Sequence, residues 1–348
     1  MKTKLVTGDL SAYKRLWQGI PGVEVTGSGR KFVSLYSGGI NEGAGNFSMV
    51  LCDHEGAFKP IAVIDAGPEG RAYDPCLWID PLGRLWFIWA VQPDNRVEFS
   101  ILEDPDGDLT AWSEIRTLGF DVMLNKPIVA QNGDWLFPCA VWKDGLLAQG
   151  WGAEGINPTG THVFVSRDQG QSFSLLSTAK VTDRHYDEHM LIQHPDSSYS
   201  LYTRTRYGIA VSHSTDCINW TDGVDAGLGG PNSRFYIGRL QSGALLLVNH
   251  RYFTGRNNLT AMISDDEGKT WNEGLLLDER TQVSYPDVTQ AADGTIYIVY
   301  DRERGAHYNP NVDYTNYARE ILMAAITEED IRKGQGGSLK NIVSKVVL

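Results

Sequence analysis

Carboxyl, guanidinium and phenol groups recur along this chain at comparable places. Gln18, Asp74, Asn125, Lys126, Asp187, Glu188, His189, Arg234, Tyr285 and Asp287 each stand at the lead-in to an apolar stretch. Glu42, Arg204, His250 and Arg256 stand at or beyond the end of the stretch that follows. If these positions face one axis, they form a funnel able to hold a polar ligand. The chain as a whole is acidic, with 31 Lys and Arg against 43 Asp and Glu, yet this set is rich in arginine. The guanidinium fork matches a carboxylate, so the expected ligand carries one.

Positioning such a ring requires a repeated element, and the sequence contains one. Six times it runs from a polar lead-in through an apolar strand, a Gly or Asp turn, a second aromatic-rich strand, a longer loop and a further strand. The turns fall at Gly29, Gly83, Gly133, Asp196, Gly243 and Gly294. The second strands are expected at Lys31–Tyr36, Leu85–Ala90, Trp135–Trp142, Tyr199–Arg204, Ala244–Asn249 and Ile296–Tyr300. A period of roughly 50 residues with about four strands per unit predicts a β-propeller. One such unit cannot bury both faces, so neighbours must stack. The prediction is all-β: one domain over residues 1–348, a six-bladed propeller with four-stranded antiparallel blades. The tail Ser338–Leu348, or Lys4–Thr7, is expected to complete a blade and close the ring. The one clear helix signal is the capped turn at Thr327-Glu-Glu-Asp-Ile-Arg-Lys333.

Composition narrows the function classes. A formal net charge of −12 argues against a nucleic-acid backbone as partner, which needs clustered Lys and Arg. No apolar stretch approaches the ~20 residues of a membrane helix, and the start MKTKLVTGDL lacks an apolar signal-peptide segment. A cytoplasmic protein with no membrane partner is therefore expected. Cys52, Cys76, Cys139 and Cys217 lie far apart, without metal-ligand spacing, and read as buried thiols. With no phosphate loop, dinucleotide fingerprint or histidine cluster, neither cofactor nor metal is expected. Asp104-Pro-Asp-Gly-Asp108 reads as a solvated turn.

Two segments share the form S-x-D-x-G-x-[ST]-[WF]: Ser166-Arg-Asp-Gln-Gly-Gln-Ser-Phe173 and Ser264-Asp-Asp-Glu-Gly-Lys-Thr-Trp271. Ser214-Thr-Asp-Cys-Ile-Asn-Trp220 is a degenerate copy. The Asp is placed to cap backbone N–H groups, the Gly to take positive φ and the aromatic to bury. These segments resemble the Asp-box of the sialidase, or BNR-repeat, propellers, where the role is structural. Asp168 and Asp266 are therefore not catalytic candidates.

The resemblance to sialidases extends to the fourth, fifth and sixth repeats. Glu188-His-Met-Leu-Ile-Gln193 followed by Leu201-Tyr-Thr-Arg204 is similar to the family's Glu, strand, turn and Arg. Arg256-Asn-Asn-Leu-Thr260 before the second motif matches the family's next Arg. Val283-Ser-Tyr285 and Val299-Tyr-Asp301 match the place of its nucleophilic Tyr. The resemblance implies that Tyr285 is a nucleophile, Glu188 its general base, and Arg204 and Arg256 a clamp on a substrate carboxylate. A phenol suits an anionic sugar, because a carboxylate nucleophile would be repelled by the substrate's own carboxylate.

Two departures bear on substrate and proton delivery. The family begins its first blade with an Arg before Ile-Pro; here Trp17-Gln-Gly-Ile-Pro21 has none, with Gln18 nearby. Lys126, Arg234 and Arg71 are candidates for the missing charge. The family's acid/base Asp also lacks a match, leaving Glu42 and Asp74. A uronic or ulosonic acid is thus expected rather than ordinary sialic acid, on an acidic oligosaccharide or glycan. Three functions remain open. The first is a retaining exo-glycosidase using Tyr285 and Glu188, with Glu42 or Asp74 as acid. The second is a lyase on a uronic acid, with His189 or His250, Tyr285 and an arginine. The third is a glycan-binding propeller relying on Trp78, Trp86, Trp89 and Trp142.

Overall fold

The computed structural model describes residues 2–142 and 160–348. Its strands form six antiparallel sheets. The innermost strands are Trp17–Val25, Arg71–Ile79, Ile128–Val129, Met190–Gln193, Tyr236–Arg239 and Val283–Gln290. The second strands are Lys31–Gly38, Leu85–Gln92, Trp135–Val141, Tyr199–Thr205, Leu245–His250 and Ile296–Arg302, within a residue or two of the sequence expectation. Five sheets are consecutive four-strand meanders and the remaining one is such a meander with one added strand, the arrangement of a six-bladed propeller. The strand Ser338–Lys345 completes the sixth blade, while Lys4–Val6 adds a fifth strand to the outer edge of the first.

The repeat is visible in the turns between first and second strands. Gly29, Gly83, Gly133, Gly243 and Gly294 all have positive φ, and each donates its N–H to the carbonyl three residues earlier at 2.8–2.9 Å. Such a three-residue connection needs a left-handed last residue, which glycine adopts without steric cost. In the fourth blade that residue is Ser197 (φ 70°), not Asp196; the Asp196 carboxylate instead accepts the Ser198 N–H at 3.0 Å.

Second strands are buried on both faces, which is why Leu85–Val91 reads as an unbroken apolar run. Between blades two and three, Trp86 stacks on Phe99 (centroids 4.7 Å apart) and meets Trp78 and Trp135. Trp78, Trp86 and Trp89 are core residues. The S-x-D-x-G motif joins this packing. Asp168 accepts the Gln171 and Ser172 N–H groups at 3.0 and 2.8 Å. Gly170 lies so close to Trp86 that a Cβ there would sit 2.3 Å from the indole. The helix Glu328–Lys333 is capped reciprocally by Thr327 and Asp330. All four cysteines are buried and unpaired.

Candidate active site

The lead-ins of blades one, two and six share a local distortion. The pairing slips between Gly19 and Gly22, between Tyr73 and Cys76, and between Ser284 and Asp287. Two residues there oppose one, which defines a β-bulge. The first of the two is left-handed and precedes a proline: Ile20 (φ 55°), Asp74 (φ 49°) and Tyr285 (φ 57°). Glu188, at the fourth lead-in, has φ 45°. Left-handed backbone costs a non-glycine residue about 1 kcal/mol or more. Bulges re-aim side chains. All four of these side chains line one cavity of about 670 Å³.

Tyr285 donates its phenolic hydrogen to Glu188 Oε1 at 2.7 Å. Arg204 Nη1 lies 2.7 Å from that carboxylate oxygen and donates to the Tyr285 oxygen at 3.0 Å. Asn232 aligns two guanidiniums. Its side-chain oxygen accepts from Arg204 Nε at 2.7 Å, and its carbonyl accepts from Arg204 and Arg256 at 3.1 and 3.2 Å. The cavity wall also holds Glu42, Arg71, Tyr73, Trp142 and Arg304, with Tyr308, Tyr314 and Tyr317 on the sixth-blade side. Arg304 lies over the Tyr285 ring, 4.0 Å from its centroid.

Four buried polar atoms on this wall have no hydrogen-bond partner among the described residues: Glu188 Oε2, Arg304 Nη2, Tyr73 OH and Trp142 Nε1. Buried polar groups are seldom left unsatisfied, so a polar ligand or ordered water in the cavity would find four groups to bond. The electrostatics agree. Burial pulls the Arg256 guanidinium below its ordinary value, and the nearby Arg304 and Arg204 charges add to that while Tyr285 opposes it. A bound anion would relieve this. Burial pushes Tyr285 up to about 12; the Glu188 charge adds to it, while Arg204, Arg304 and Arg256 pull the other way. Asp74 is raised to about 7, first by burial and then by Glu42, with Arg71 opposing. Glu42 is held differently: it pairs with Arg304 at 3.4 Å and accepts the Tyr308 hydroxyl.

Of the residues expected at the site, Tyr285, Glu188, Glu42, Asp74, Arg204 and Arg256 line this cavity, as does Arg71, one of the three candidates for the missing charge. The other candidates lie elsewhere. Arg234 is enclosed near the propeller axis, donating to Asn125 Oδ1 and the Pro21 and Leu124 carbonyls and pairing with Asp287 at 3.3 Å. Lys126 lines a separate cavity and is committed to Glu24, Asp287 and two carbonyls. Neither is placed to supply a missing charge. Asn125 supports the site from behind, donating to the Glu188 and His189 carbonyls at 2.6 and 3.1 Å. Asp187 is paired with Arg184 at 2.9 Å. His189 bonds the His162 carbonyl and His250 the Asn257 carbonyl; burial lowers them to about 3 and about 4. No histidine stands among the described residues of the cavity wall.

Gln18 faces away too, donating to the Arg319 carbonyl at 2.7 Å and accepting from Ser344. A Cβ on residue 19 would instead meet Arg304 on the cavity wall, so the first-blade departure concerns Gly19. Arg304 and Asn232 were missed by sequence reasoning. Arg304 ends the polar run Asp301-Arg-Glu-Arg304, two residues beyond the second strand. That run was the available signal. Of the four tryptophans named for a glycan-binding surface, Trp142 lines the cavity, whereas Trp78, Trp86 and Trp89 are buried in the core.

Residues 30–298 match the model of the BNR repeat-like domain. The chain belongs to that family. No curated protein sequence matches it. Among solved structures, this BNR-repeat propeller is similar to the Hadza microbial sialidase Hz136, at 18% identity and a TM-score of 0.68. That alignment covers 93% of this chain and 68% of the other. The NanB sialidase from Streptococcus pneumoniae aligns at 10% identity, TM-score 0.67, over 94% and 70% of the two chains. The intramolecular trans-sialidase from Ruminococcus gnavus aligns at 12% identity, TM-score 0.63, over 92% and 96%. At these identities the likeness is one of fold.

Proposed function

We propose that this BNR-repeat propeller is a retaining exo-glycosidase that removes an acidic sugar, a uronic or ulosonic acid, from an oligosaccharide. The observation that carries the reading is the Tyr285 hydroxyl donating to Glu188 at 2.7 Å beneath clustered guanidiniums. As the phenol oxygen attacks the anomeric carbon, its proton passes to Glu188. The glycosidic bond breaks, and the departing oxygen takes a proton from Asp74. In the second half-reaction, water attacks the same carbon and gives a proton to the Asp74 carboxylate. The tyrosine oxygen leaves and recovers its proton from Glu188. Two displacements at one carbon retain configuration.

Asp74 suits the acid role because its value, raised to about 7, keeps a substantial fraction protonated near neutral pH. Glu42 is held by Arg304 and Tyr308. Arg204 and Arg256 hold the substrate carboxylate. A lyase through His189 or His250 finds no support in their positions.

The test is product mass after incubation with acidic oligosaccharides in oxygen-18 water. Hydrolysis adds one labelled water, and elimination adds none. Tyr285→Phe should abolish turnover and leave Tm within a degree or two, since Arg204 still pairs with Glu188. Unlabelled unsaturated products, or full turnover by the Phe variant, would end this mechanism.

A further inference from the structure

Gly19 and Arg304 come from opposite ends of the chain and share one space. A Cβ built on Gly19 would lie 2.5 Å from Arg304 Cδ and 2.7 Å from both Cγ and Nε. Any side chain at residue 19 would displace the arginine. The backbone fixes the same approach, with the Gln18 N–H donating to the Arg304 carbonyl at 3.2 Å. Gly19 does not have positive φ, so backbone conformation does not demand glycine there. The demand is for the volume that Arg304 fills.

Arg304 is anchored on one side and open on the other. Its Nε donates to Asp301 Oδ2 at 2.8 Å, and Nη1 reaches Glu42 at 3.4 Å. Asp301 is itself fixed by the Ile20 N–H at 2.8 Å and the Ser284 hydroxyl at 2.6 Å. Nη2 is buried with no hydrogen-bond partner among the described residues, and the residue lines the cavity. Arg256 and Arg204 approach Tyr285 as well.

We infer that Arg304, delivered by the sixth blade into the volume left by Gly19, binds the ligand carboxylate through Nη2 together with Arg204 and Arg256. The inference rests on the proposed reading of the cavity as an acidic-sugar site. It adds that carboxylate selectivity depends on a guanidinium occupying this volume and not on which strand supplies it. It also ties the clamp to Glu42, which shares the same arginine.

The test measures binding, so it does not depend on turnover. Glucuronic acid and N-acetylneuraminic acid are titrated against their methyl esters by ligand-observed NMR. Arg304→Met should weaken binding of the acids by roughly tenfold to a hundredfold, the range for a lost charge-assisted hydrogen bond. The esters should change much less. Arg304→Lys keeps the charge without the fork and should fall between. The double variant Gly19→Arg with Arg304→Gly refills the volume from the first blade and should recover acid preference. Thermal melts identify any variant that fails to fold, and the lysine and double variants are then decisive.

Unchanged acid binding in the folded Met or Lys variant overturns the inference. Failure of the folded double variant to regain any acid preference also overturns it. If the wild-type protein does not prefer acids over esters, both the clamp and the acidic-sugar reading fall. Arg304-dependent acid binding without hydrolysis keeps the clamp and removes the glycosidase. Full hydrolysis by Arg304→Met does the reverse.

Discussion

Asp74→Asn separates the acid from its alternatives. The wild-type carboxyl is raised from about 3.8 to about 7 in the folded chain, because burial disfavours its charge. Between those values the folded protein holds a proton that the unfolded chain has released. Stability therefore falls as pH rises through this window, and the loss is complete above about 7. A rise from about 3.8 to about 7 corresponds to about 4 kcal/mol. Asparagine does not titrate, so the variant loses this pH-dependent penalty. Unfolding entropy for a chain of 348 residues converts the difference into about 5 °C. Asp74→Asn should thus gain about 5 °C in Tm over wild type on going from pH 4 to pH 8. Differential scanning calorimetry across that range reads it directly. The kinetic counterpart is a wild-type kcat that declines as pH rises through about 7. On an alkyl glycoside, Asp74→Asn should lose at least about a hundredfold. An aryl glycoside whose leaving group needs no proton should restore much of the bond-cleavage rate. Parallel melting curves for wild type and variant would refute the raised carboxyl. A hundredfold loss that appears in Glu42→Gln and not in Asp74→Asn would transfer the acid role to Glu42.

Other perturbations probe the frame around the site. Arg234→Leu strips Asp287 and Asn125 of a buried partner and should destabilise by about 3–5 kcal/mol, read by urea denaturation; wild-type stability in that variant would contradict the enclosed pairing. Asp266→Ala removes the acceptor of the Thr270 N–H and hydroxyl, so Tm should drop at neutral pH with kcat unchanged. Thr270 holds that carboxyl down to about 2. Its contribution is present above the unfolded value of about 3.8 and lost as pH falls through about 2, so the Tm difference should shrink in strong acid.

The propeller was legible because its repeat is written in local chemistry. A left-handed turn residue recurs in every blade, and second strands buried on both faces leave apolar runs. Only the fourth turn was misplaced, by one residue, because Ser197 takes a conformation that composition assigns to glycine or aspartate. The proposed catalytic pair was legible for a different reason. Glu188 and Tyr285 sit in motifs with a family resemblance, and both have left-handed backbone at comparable lead-ins, with a bulge at Tyr285, and line the cavity.

What sequence could not resolve is which way a lead-in side chain points when alternation and a bulge compete. Arg234, Lys126, Asp187, His189 and His250 all occupy plausible positions along the chain, yet each bonds protein groups away from the wall of this cavity. The converse error is more instructive. Gly19 offers no functional group and attracts no notice, but its missing side chain is what admits Arg304. A site of this kind is shaped by an absence at one end of the chain matched to a presence at the other. Such a match is a property of three-dimensional volume. It shows in sequence only as two unremarkable residues nearly three hundred positions apart.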